Sequence, residues 1–137
     1  MNELSSVDVV DQLYKRFAVG EWDAVEELIA DDIVVQTPLS KLEGRLAVLA
    51  SWRQLFSDTQ GTFLPVALEI SALDDGRVYS RHHSTAQMGD KKLDVHESMT
   101  CSIRDGQITY IDETFDQPDL EEAFWGRSAS SDNSDPD

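Results

Sequence analysis

The segment RVYSRHHSTAQMGDKKLDVHESMTCSIRDGQITYIDETF, Arg77–Phe115, decides the fold class. Gly89-Asp90 and Asp105-Gly106 are hairpin signals inside it, and they cut it into three strands, roughly Arg77–Met88, Lys92–Arg104 and Gln107–Phe115. Another run of period two precedes them, because Val66, Leu68 and Ile70 alternate towards the turn signal Asp74-Asp75-Gly76. Successive side chains of a strand point to opposite faces. On the middle strand Leu93, Val95, Met99, Cys101 and Ile103 therefore share the core side, with Glu97 as the one ionisable group in their row. The other parity, Asp94, His96, Ser98, Thr100, Ser102 and Arg104, reads as a solvent face.

Upstream of Thr62 the period is helical. Ser5 caps a first helix with Asp8 at its third position, and Val10, Leu13, Tyr14 and Phe17 share a face until Gly20 stops it. A second, short helix places Trp22, Val25, Leu28 and Ile29 on its inner side. Ile33 to Thr37 is β-branched and ends at Pro38, the signature of a short strand. Gly44 opens a third helix with Leu46, Leu49, Trp52 and Phe56 inward. Leu120 to Trp125 predicts a closing helical turn. Helices followed by an antiparallel meander make an α+β domain, its helices on one sheet face.

At 137 residues the chain is expected to form one domain over residues 1–125, followed by a disordered acidic tail over 126–137, GRSASSDNSDPD. Eleven Lys plus Arg stand against 27 Asp plus Glu, a formal charge of −16. That is about twice the upper end usual for a small soluble domain. Such a chain repels polyanions, so nucleic acid and anionic membranes are excluded as expected partners. The acidity suits a salt-rich environment, in which self-repulsion is screened. Halophilic adaptation predicts higher stability in molar salt than in dilute buffer, and denaturation midpoints showing the reverse would overturn it. No apolar run approaches the ~20 residues of a membrane span. MNELSSVDVVDQLYKRF lacks a basic start followed by an apolar stretch, so a cytoplasmic location is expected. The single cysteine, Cys101, reads as a small buried hydrophobe.

Gly20-Glu21-Trp22-Asp23, Ala30-Asp31-Asp32 and Arg104-Asp105-Gly106-Gln107-Ile108 with Phe115-Asp116 give the chain, over roughly Val7 to Phe124, a resemblance. It resembles the SnoaL-like branch of the nuclear-transport-factor-2-like superfamily. The resemblance implies a curved antiparallel sheet wrapped around three N-terminal helices, a cone with an internal pocket, and frequent homodimers. Members include polyketide cyclases, ketosteroid isomerases and epoxide hydrolases. Carried over by position, the isomerase base falls on Thr37, its oxyanion tyrosine on Leu13 with Tyr14 one step away on another face, and its second acid on Met99. The Arg, Asp and Asp of the epoxide hydrolases fall on His82, Ser84 and Glu113. Steroid isomerisation is thereby disfavoured, and the hydrolase set is incomplete.

The strand faces supply another constellation. A two-residue loop at Gly89-Asp90 puts His82 opposite Glu97, with Ser80 and Ser84 on the same face. A three-residue loop at Arg104-Asp105-Gly106 would put Glu113 opposite Glu97, leaving Ile111 and Phe115 inward. Two carboxylates on an apolar wall cannot both stay charged cheaply, so one pKa rises, and a nearby imidazole favours the ionised form of the other. The expectation is cofactor-independent acid–base chemistry by His82, Glu97 and Glu113 on a small hydrophobic or carbonyl-bearing molecule, without a metal. Thr37, Ser84, Met99, Phe115 and Trp52 would shape the site. Three alternatives stand beside it: a buried polar row that only fixes the sheet, a metal site on the same three groups, and a one-residue slip at Gly89 that brings in Tyr79, Arg81 and His83. His83 and His96 are expected on the convex face. A homodimer through that face would use Ile108 and Tyr110.

Overall fold

The computed structural model describes residues 4–126 of the chain. The Ser5 hydroxyl accepts the Asp8 amide and starts α1, Ser6–Ala18, whose buried stripe is Val9, Val10, Leu13, Tyr14 and Phe17. Gly20 then turns the chain at φ +70°, where an added Cβ would meet the Phe56 ring at 3.2 Å. After α2, Trp22–Leu28, the first strand begins earlier than its β-branched run suggests: β1 is Ile29–Gln36. Ile29 thus belongs to the strand, and Thr37 stands just past its end. Asp31 and Asp32 are exposed at a register shift, paired with Arg45 and Arg104.

A short β2, Lys41–Glu43, escaped the sequence reading because three residues carry no period. It returns antiparallel onto β1. α3, Arg45–Asp58, buries Val48 and Leu49, whereas Leu46 is 81% exposed. The expected inward position of Leu46 is therefore corrected: the buried stripe is centred between Val48 and Trp52, which rotates Leu46 outward.

β3 (Leu64–Ala72), β4 (Val78–Met88), β5 (Lys91–Arg104) and β6 (Gln107–Phe115) form the meander, and α4 (Pro118–Trp125) closes the chain. The sheet order is β2-β1-β6-β5-β4-β3, antiparallel throughout except for the parallel pair β1–β6. Curved around the three N-terminal helices, this sheet makes an α+β cone with a cavity inside. Val9, Val10, Val25, Val48, Ile33, Val78, Cys101, Ile108 and Ile111 fill the space between helices and sheet. A second cluster, Ala86, Leu93, Val95 and Phe124, fastens α4 to β4 and β5. Period two marked β3 without revealing its buried side: Val66 and Leu68 are half exposed, while Pro65, Ala67 and, past a bulge, Ile70 face inward.

The β4–β5 hairpin has the expected register, with His82 opposite Glu97 and Tyr79, Arg81 and His83 on the outward parity. The β5–β6 hairpin does not. Asp105 and Gly106, at φ +55° and +79°, form a two-residue loop, and a bulge between Ser102 and Ile103 adds one residue to β6. Together they move Glu113 two positions, opposite Met99, and put Phe115 opposite Glu97. A shift of two preserves the face, so Glu113 still points inward. The same bulge reverses parity between Ile108 and Tyr110, so Ile108 is fully buried and Tyr110 is 39% exposed. Ile108 therefore has no place in an outward dimer surface.

On the outward face His83 and His96 stack with ring centroids 4.7 Å apart. Gly126 ends α4 in the left-handed region, and the remainder of the expected tail lies outside the described residues. Among the described residues no helix is long and apolar enough to cross a membrane.

Candidate active site

The cavity has a volume of about 140 Å³. Cavities near that size hold a benzene ring, which sets the scale of a fully enclosed ligand. Leu13, Tyr14 and Phe17 of α1, Trp52 and Leu55 of α3, and Met99, Ile111 and Phe115 of the sheet line it. Phe17 packs edge-to-face on Trp22, Trp52 and Phe63, and Phe63 does so on Trp125, so the aromatic wall is braced from ring to ring.

Six polar side chains converge at the sheet side. His82 Nε2 lies 2.8 Å from Glu97 Oε1 and 3.5 Å from Glu113 Oε2. Its Nδ1 is 2.6 Å from the Tyr14 hydroxyl, which lies 2.8 Å from Ser80 Oγ. Ser84 Oγ donates to Glu97 Oε1 over 2.8 Å. His82 and Glu97 are almost wholly buried. Glu113 keeps 19% of its side-chain surface accessible and lines the cavity.

These contacts set the protonation states. Burial by itself lowers the His82 pKa, but hydrogen bonds to Glu113 and Glu97, together with their charge, outweigh it and raise it to about 9. The ring is then an imidazolium that donates through both nitrogens, to Tyr14 and to Glu97. Burial acts to raise Glu97, yet its hydrogen bonds with His82, Glu121 and Ser84 and the His82 charge hold it below the usual carboxylate range. Glu113 is pushed up to about 7 by burial and by the charge of Glu97, with His82 pulling the other way. One carboxylate is held ionised and the other is poised near neutrality. Cys101, buried behind them, is pushed up to about 12, chiefly by burial.

Of the residues expected to shape the site, Thr37, Met99, Phe115 and Trp52 line the cavity. The Thr37 oxygen accepts the amides of Leu39 and Ser40, so it pins the turn after β1. Ser84 is a correction: it is fully buried behind Glu97 and holds that carboxylate, away from the cavity lining.

Two residues of the site were missed. Tyr14 lies on the buried face of α1 with Leu13, as the spacing predicts, but it is not among the expected site residues and it reaches His82. Its phenol is raised above its ordinary value, chiefly by burial. Glu121 of α4 is fully buried and lines the cavity; Trp125 Nε1 donates to its Oε1 and no donor reaches its Oε2. Burial and the neighbouring Glu97 push its pKa up to about 10. A protonated carboxyl is itself a donor, and a hydrogen bond from Glu121 to Glu97 is consistent with an oxygen that no donor reaches. The available signal was a Glu three and four residues before Phe124 and Trp125, on the apolar side of a short helix.

Replacing Tyr14 by phenylalanine strands one imidazolium donor and should cost about 1–3 kcal/mol of stability. Urea unfolding measures this, and an unchanged midpoint would show that the hydroxyl supports nothing.

His82, Glu97 and Glu113 present ligand atoms within 4.8 Å of one another, close enough for a cation. Both His82 nitrogens are engaged in hydrogen bonds, however, and binding one would break the His82–Glu97 contact and expel a proton.

Residues 10–111 match the family described as "SnoaL-like domain". A structure of Bal32a, from a soil-derived mobile gene cassette, is similar at 29% identity and TM-score 0.85, covering 88% of this chain and 95% of that one. A Xanthomonas campestris protein described as having a cystatin-like fold gives 20% identity and TM-score 0.83, over 90% and 100% of the two chains. An epoxide hydrolase of Mycobacterium tuberculosis, described as LEH-like, gives 18% identity and TM-score 0.73, over 88% and 90%. The latter two share the fold.

Proposed function

Because the chain belongs to the SnoaL-like domain family, we propose that its cavity binds a small, mostly apolar or carbonyl-bearing molecule and moves a proton to or from it through Glu113. The observation that carries this reading is the division of labour among the acids. Glu97 spends its charge on His82 and Ser84, and Glu121 keeps its proton. Glu113 alone combines a cavity-facing carboxyl with a pKa near the working range, which is what a general base or acid needs. His82, Glu97 and Tyr14 position it. The chemistry is of the lyase, isomerase or hydrolase type and needs no cofactor. Activation of a water by Glu113 would be the hydrolase version of the same step.

A benzisoxazole tests this without knowledge of the natural substrate. A base takes the ring C–H proton, the N–O bond breaks, and a cyanophenolate appears in the absorbance. Saturable turnover that rises with pH through about 7 is expected, in step with the Glu113 carboxyl resonance. A Glu113 that titrates near 7 in a protein without turnover would leave the second reading, a non-catalytic pocket whose polar row fixes the sheet. The full hydrogen bonding of Glu97 and His82 is the observation that favours that alternative. Pairing of two copies over the outward face, with Tyr110 and without Ile108, belongs to the same proposal.

A further inference from the structure

The charges inside the cavity narrow its ligand. Three acids line it, Glu97, Glu113 and Glu121, and His82 is its one basic group; among the described residues neither Lys nor Arg lines the wall. Glu97 is matched by His82 at 2.8 Å. Glu121 is fully buried, shares a hydrogen bond with Glu97 and keeps its proton, so it adds no charge. Glu113 has only the longer 3.5 Å approach to the same His82, which one positive charge cannot fully serve twice. The cavity with Glu113 ionised therefore carries one uncompensated negative charge. Tyr14, Phe17, Trp52, Phe63, Phe115 and Trp125 line the same space, and the faces of such rings attract cations through their quadrupoles. The chain as a whole, at −16, repels anions from any mouth.

We infer that the cavity takes a small organic cation, an amine with an apolar body about one ring in size, whose ammonium sits on the Glu113 carboxylate and against the aromatic wall. The inference rests on the cavity being a ligand site, as proposed above, and is independent of the proton-transfer step. A carboxylate or phosphate would add a second uncompensated negative charge in an apolar enclosure. A neutral carbonyl compound would gain a hydrogen bond from Glu113 only while that group is protonated. Ammonium and carbonyl ligands therefore have opposite pH dependences.

The groups facing Glu113 are Tyr14 from α1, His82 from β4, Glu97 and Cys101 from β5 and Glu121 from α4. His82 at about 9, Glu121 at about 10 and Cys101 at about 12 all keep their protons between pH 6 and 8. The Tyr14 phenol, raised above its ordinary value, keeps its own, and Glu97, held below the carboxylate range, stays ionised. Among these groups Glu113 alone changes charge over that interval.

Calorimetric titration with benzylamine, benzyl alcohol and benzoate, at pH 6 and pH 8, tests the inference. At pH 8 benzylamine should bind roughly tenfold or more tighter than benzyl alcohol, in keeping with a charge-assisted hydrogen bond, and benzoate should not bind. The preference should shrink at pH 6 and vanish in Glu113→Gln, while benzyl alcohol still binds the variant. Should Glu113→Gln fail to fold, the wild-type pH series decides alone. Binding of benzoate, or a benzylamine preference equal at both pH values, overturns the inference. Benzyl alcohol binding without any preference for the amine removes this inference and leaves the pocket. Failure of all three probes, together with absent benzisoxazole turnover, removes the pocket reading as well.

Discussion

Glu113→Gln should reduce benzisoxazole ring opening by about a hundredfold or more, the usual contribution of one positioned general base. Glutamine keeps the shape and the hydrogen-bonding capacity of the side chain but cannot accept the proton. The sign of the pH dependence follows from the state that reacts. With its pKa raised to about 7, Glu113 is a carboxylic acid at pH 5.5 and a carboxylate at pH 8.5, so a base-dependent rate climbs between them. In the Gln variant the remaining rate should lose that step. A wild-type rate that falls over this interval, or a variant as fast as wild type, would remove Glu113 from the chemistry. Burial in the cavity wall and the charge of Glu97 lift the basicity of Glu113, so the effect belongs to the site rather than to glutamate in general.

Glu97→Ala should cost about 3–5 kcal/mol of stability, the range for removing one partner of a buried ion pair. The loss is large because Glu97 serves several donors: without it the His82 imidazolium keeps only the longer approach to Glu113 and the Ser84 hydroxyl loses its acceptor. For a domain stable by ~5–15 kcal/mol this is a substantial fraction. Wild-type stability should also fall as pH rises from 7 to 10. His82 has a folded pKa raised from 6.5 to about 9, so its contribution is complete below 6.5 and lost as pH passes 9. Glu121, raised from 4.5 to about 10, has the same sign, and keeping it buried costs more as its proton is drawn off. Glu113 makes its share of the loss earlier, between 4.5 and 7. Glu97, lowered, acts in the opposite direction and only in acid. Urea melts at the two pH values, in enough salt to screen the surface, measure the fall, which should shrink in Glu97→Ala. Equal or greater wild-type stability at pH 10 would contradict the protonation states assigned to His82 and Glu121.

The parts of the site legible in the sequence were those governed by period two and by a tight turn. Glu97 stood out because the residues two and four positions away on either side are apolar, and Gly89-Asp90 allowed a single compact loop that set His82 against it. Glu113 was placed on the correct face and at the wrong height. The bulge at Ser102/Ile103 has no local signature in SIRDGQITY, and it is chosen by how β6 must also pair in parallel with β1. Leu46 shows the same limit in a helix: an apolar residue with the right spacing is left exposed at the rim because the sheet covers the stripe next to it.

What the sequence by itself determined was the division into helices and meander, the faces of β4 and β5, and the strongly acidic character of the chain. These follow from residue-level periods, turn chemistry and charge, which act over a few neighbours or sum over the whole chain. Only the tertiary structure decided that Tyr14 of α1 and Glu121 of α4 join the row, since they meet His82 and Glu97 from 68 and 24 positions away along the chain. It also decided which acid is spent and which is free. A pKa inside a protein depends on the distance to each partner and on the water excluded around it, and neither exists until helix, sheet and closing helix are packed together.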